Sequence, residues 1–75
     1  MKLSEFRRAV VAEFGEGFGG VLTRDTVLAE LGSRTADEAL AQGVPAADVW
    51  LALCRAEDVP ESRRHGVGLP EPRRR

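Results

Sequence analysis

Cysteine and histidine each occur once, as Cys54 and His65. One thiol excludes an internal disulfide and any cysteine-based zinc cluster, and a single imidazole leaves no metal-ligand spacing to assemble. His65 has no carboxylate–serine arrangement near it that would suggest catalysis. Long apolar runs are missing too. No segment approaches the ~20 residues of a membrane helix, and no basic region leads into an apolar run as in a signal peptide, so the expectation is a cytoplasmic chain. At 75 residues the chain makes one domain at most. Ordering costs about 1.5 kcal/mol per residue against the gain from burial, which leaves so small a core marginal and without room for a large internal active site. With no nucleophile–base pair, metal set or cofactor loop in view, the reading is of a protein that is not an enzyme and takes no cofactor.

What is present is a chain 43% hydrophobic, organised around one run. Val49-Trp50-Leu51-Ala52-Leu53-Cys54 is its most apolar stretch and holds the only tryptophan. Pro45 opens it with a preset φ, and Arg55, Glu57 and Asp58 return the chain to water. Its apolar residues spread around most of a helix, so the helix must be surrounded. Burying Val49, Trp50, Leu51 and Leu53 would contribute roughly 1.5–3 kcal/mol each.

The rest reads as three further helices. In the first, Ser4 is the expected N-cap, and Phe6, Val10 and Phe14 recur at helical spacing until Gly15. Gly15-Glu16-Gly17-Phe18-Gly19-Gly20 is glycine-rich, but no strand precedes it and no Lys-Ser/Thr pair follows, so it reads as a turn anchored to the core by Phe18 rather than a phosphate loop. Leu22, Val27, Leu28 and Leu31 mark the buried side of a second helix ended by Gly32. Thr35-Ala36-Asp37-Glu38 is a capping box that starts a short third helix, closed by Gly43. The fold class expected is all-α, with helices at about residues 4–14, 20–31, 36–42 and 45–57. Residues 1–60 would form the domain, and 61–75 a disordered basic tail.

The second half, Thr35 to Ala56, has the outline of a helix-turn-helix. If it read DNA, residues from about 46 onward would enter the major groove. Ala46, Ala47, Asp48, Val49, Trp50 and Leu51 offer no partner for a base edge, and Asp48 would repel the backbone. The outline therefore reads as a way to pack two helices. Charge is uneven. Residues 1–60 hold six basic against ten acidic residues, whereas residues 61–75 hold five arginines against two glutamates. Two functional readings follow. The leading one is a protein–protein interaction module that leaves a partner patch at Trp50, Leu51 and Cys54. The alternative is non-specific nucleic-acid binding through Arg63, Arg64, Arg73, Arg74 and Arg75, with steep salt dependence.

Several blocks also resemble a known family. Phe14-Gly15, Val27-Leu28-Ala29-Glu30-Leu31-Gly32, Arg34-Thr35, Glu38-Ala39-Leu40-Ala41-Gln42-Gly43, and Val49-Trp50 with Ala52, Cys54, Val59 and Pro60 are similar to the short actinobacterial proteins grouped as domain of unknown function 3046. The likeness covers about residues 1–60. Gly17, Gly19, Gly20 and Thr26 stand where Ala, polar or aromatic residues would be expected. The resemblance implies an uncharacterised cytoplasmic bacterial protein, often encoded near recombination genes, and it carries over no catalytic residue.

Overall fold

The computed structural model describes residues 1–64. Its four α-helices are α1 (Leu3–Phe14), α2 (Glu16–Asp25), α3 (Ala36–Ala41) and α4 (Ala46–Ala56). Between α2 and α3 lies a small hairpin. Strand β1 (Val27–Leu28) pairs antiparallel with β2 (Arg34–Thr35), placing Val27 opposite Thr35 and Leu28 opposite Arg34. The fold is thus mostly α-helical, as expected, with a two-stranded sheet that was not.

Helix α4 is the core element. Five of its residues, Val49, Trp50, Ala52, Leu53 and Cys54, are buried, and Phe6, Ala9 and Val10 of α1, Leu22 of α2, Leu28 of β1, and Ala36 and Ala39 of α3 close around them. Of its residues Asp48, Arg55 and Ala56 are exposed, and Ala46, Ala47 and Leu51 are half-buried. A helix with apolar residues on most sides is stable only when enclosed in this way.

Local chemistry sets most boundaries. Helix α3 starts at the expected capping box: the Thr35 hydroxyl accepts from the Glu38 N–H at 3.1 Å, and the Thr35 N–H donates to Glu38 Oε1 at 2.9 Å. Helices α3 and α4 end alike. After α3 the Gly43 N–H donates to Leu40 and the Val44 N–H to Ala39; after α4 the Asp58 N–H donates to Arg55 and the Val59 N–H to Cys54. Both are Schellman motifs, which place one residue in the left-handed region. That residue is Gly43 (φ +92°) in one and Asp58 (φ +58°) in the other.

Three expectations need correction. Ser4 is not the cap of α1. The helix begins at Leu3 after Lys2, and the Lys2 N–H donates to Glu5 Oε1 at 2.7 Å, so a first-turn carboxylate does the capping. The second helix is displaced: it runs over 16–25, not 20–31. Gly15 alone separates α1 from α2, at φ +88°, and the chain becomes extended at Thr26. Here the β-branched pair Thr26-Val27 favours the pleated conformation, and the left-handed Gly32 and Ser33 turn the chain back. The boundary at residue 60 also moves. Glu61–Arg63 form a 3-10 turn that continues into Arg64, so these four residues belong with the domain. The rest of the expected tail, 65–75, lies outside the described residues.

Candidate interaction surface

Trp50 and Cys54 are enclosed and Leu51 is half-buried, so the structure does not bring the expected patch to the surface. The Trp50 ring meets Phe14 edge to face, with centroids 6.3 Å apart, and its indole N–H donates to the carbonyl of Arg64. Burial pushes the Cys54 thiol up to about 11, which keeps it protonated near neutral pH and a poor nucleophile. Both residues act as core.

Two of the expected nucleic-acid contacts are also engaged internally. The Arg63 guanidinium donates to both Glu13 oxygens at 3.1–3.2 Å, and Arg64 Nε donates to the Val59 carbonyl at 2.6 Å. Arg73, Arg74 and Arg75 lie outside the described residues.

Apolar surface emerges instead on α2. Gly19, Leu22 and Thr23 are its buried positions. Gly19 fixes that choice of face: a Cβ there would lie 2.6 Å from Val10 Cγ1 and 3.3 Å from the Val10 carbonyl oxygen, so only glycine allows the approach to α1. With that face inward, Phe18 and Val21, three residues apart, turn outward and remain 56% and 43% exposed. Phe18 is therefore not the buried anchor expected from the sequence. Its ring still meets Phe14 edge to face at 6.4 Å, and Phe14 in turn meets Trp50. A run of three aromatic rings thus leads from the core to the surface. The inner two limit the freedom of the outer one. The signal was present in the glycine-rich stretch, but the spacing alone does not say which of its faces meets α1.

A second feature lies where the hairpin meets α4. Leu28, Ala29, Ala52 and Ala56 floor an open groove of about 310 Å³, with Val27 exposed on one lip. Arg55 and Glu30 bridge it. Arg55 Nε donates to both Glu30 oxygens at 2.8 and 3.0 Å, and a terminal guanidinium nitrogen adds a contact at 2.6 Å. Those hydrogen bonds hold the Glu30 carboxyl below its ordinary value and raise Arg55. Each charge satisfies the other, which leaves the groove without a free group for chemistry. Among the described residues no three of His, Cys, Asp and Glu come together as a metal site, and no helix is long and apolar enough to cross a membrane.

Residues 1–62 match the family described as Protein of unknown function (DUF3046), and because the match spans most of the chain, the protein belongs to it. No curated protein and no solved structure matches. The family description names no catalytic activity.

Proposed function

We propose that the protein is a non-enzymatic docking module of the cytoplasm, which binds a partner protein through the outer face of α2. The observation that carries this reading is Phe18, more than half exposed yet propped edge-on by Phe14. Phe18 and Val21 form an i, i+3 pair of the kind that seats a helix in an apolar groove. Glu16 places a negative charge at the start of the helix, while at its far end Asp25 is paired with Arg24 at 3.3 Å. Residues 1–64 hold eight basic and eleven acidic residues, so the complementary partner surface is an apolar groove with a cationic rim. The only thiol is buried and protonated, in keeping with a reducing compartment and with a role that needs no nucleophile.

Capture from a native lysate, read by mass spectrometry, tests this with two baits. Wild type should recover a reproducible partner that the Phe18→Ala/Val21→Ala variant loses at least tenfold. Because Phe18 is more than half exposed and Val21 nearly half, the variant should keep its stability to within about 1 kcal/mol. Recovery of the same partner by both baits, or of none by wild type, would sink the reading.

A further inference from the structure

The last described residues run from α4 back to α1 and are held there almost entirely by polar contacts. None of Glu61, Ser62 and Arg63 is buried, so no apolar side chain of the turn pins it down. Its hold comes from Arg63 on the Glu13 carboxylate and from the Arg64 carbonyl on the Trp50 indole N–H. The two sides of the ion pair are unequal. With the strap in place Glu13 is 17% exposed and Arg63 58% exposed, so the carboxylate is the inner partner and the guanidinium reaches in from solvent. Trp50 is 1% exposed, and a buried indole N–H needs an acceptor. Phe14 stands beside both, next to Glu13 in α1 and edge-on to Trp50.

An inner carboxylate, a buried N–H donor and an aromatic wall together make a notch that suits an arginine followed by a peptide carbonyl. The guanidinium has the planar donor set that a carboxylate accepts at two oxygens, and the carbonyl supplies what the indole lacks. The chain's own Arg63-Arg64 shows this fit.

We propose that this notch is a binding site for an arginine-bearing segment of a partner protein, occupied in cis by residues 61–64, which act as a displaceable strap. The inference is independent of the α2 face, because it uses Glu13 and the Trp50 indole rather than Phe18 or Val21. An excess of acidic over basic residues in 1–64 favours a basic incoming segment. The tethered strap competes at a high effective concentration, so a partner segment gains access chiefly when the strap is weakened.

The test uses the full chain and a labelled, end-capped peptide of the strap sequence, Pro-Glu-Ser-Arg-Arg. Binding is read by peptide anisotropy and by the indole N–H resonance of Trp50, the only tryptophan. Arg63→Ala should bind the peptide about tenfold more tightly than wild type, as expected when a competing tether is released. Adding Glu13→Gln to that variant should reverse the gain, and a peptide with both arginines replaced by alanine should not bind. Arg63→Gln serves as a second strap variant if Arg63→Ala loses helix content. Equal affinity for wild type and the strap variants would overturn the proposal. So would binding that ignores Glu13→Gln, or that leaves the indole resonance unmoved.

Discussion

Asp58 occupies a position that the backbone offers to glycine. It follows α4 at φ +58°, where a side chain crowds the carbonyl, and it is kept there by the two carbonyl acceptors of the Schellman motif and by the burial of Val59. At the equivalent place after α3 the chain carries Gly43. Asp58→Gly should therefore raise stability by about 1 kcal/mol, by removing left-handed strain, and urea denaturation followed by circular dichroism would measure it. A fall in stability would mean that the Asp58 side chain contributes more than its strain costs. Single residues of this kind were partly legible: Thr35 with Glu38 announced a cap because both halves of the signal lie within four residues. Trp50 also announced burial, through the apolar run around it. Its acceptor did not, because the Arg64 carbonyl lies fourteen residues away and a backbone group leaves no mark in the sequence.

Between elements, the decisive contact is the crossing of α1 and α2. Gly19 lets the helices approach, and by doing so it turns Phe18 and Val21 to the outside. Two alanine substitutions separate this role from helix propensity. Gly20→Ala meets open space in the exposed part of α2 and should stabilise by about 0.5–1 kcal/mol. Gly19→Ala gains the same propensity but drives its methyl into Val10, and the overpacking should leave a net loss of about 1–2 kcal/mol. Thermal melts of both variants check the pair, and equal effects would show that the crossing is looser than described. Helices α1, α3 and α4 were readable because apolar spacing runs through each of them, with a terminal glycine after α1 and α3 and a capping box at the start of α3. Helix α2 was shifted by four residues at its start and six at its end, since three glycines in its first half, Gly17, Gly19 and Gly20, mask the helical signal. The β1–β2 hairpin was missed for a simpler reason: two-residue strands are too short to show a period.

For the whole molecule, the division of labour is between an inner helix and an outer one. Helix α4 spends its apolar residues on the core, and α2, packed through small residues, leaves an aromatic contact outside. The sequence showed that α4 must be enclosed, yet its greasiness also suggested a patch at Trp50, Leu51 and Cys54. Which apolar residues remain outside depends on how all four helices pack, so the patch on α2 could not be read from either helix alone. Ion pairs between distant elements, Arg7 with Asp37 at 3.0 Å, Arg55 with Glu30 and Arg63 with Glu13, lie near the surface and tie the elements in register more than they stabilise them. The enclosure of α4 organises the whole fold, and the protein carries its own probe of it, since it has one tryptophan and no tyrosine. Acrylamide quenching of Trp50 emission in the native chain measures that enclosure directly. A blue-shifted emission that acrylamide quenches poorly, and that becomes fully quenchable only on unfolding, is the predicted result. Red-shifted emission, quenched as readily as free indole while the helical circular dichroism is intact, would contradict it.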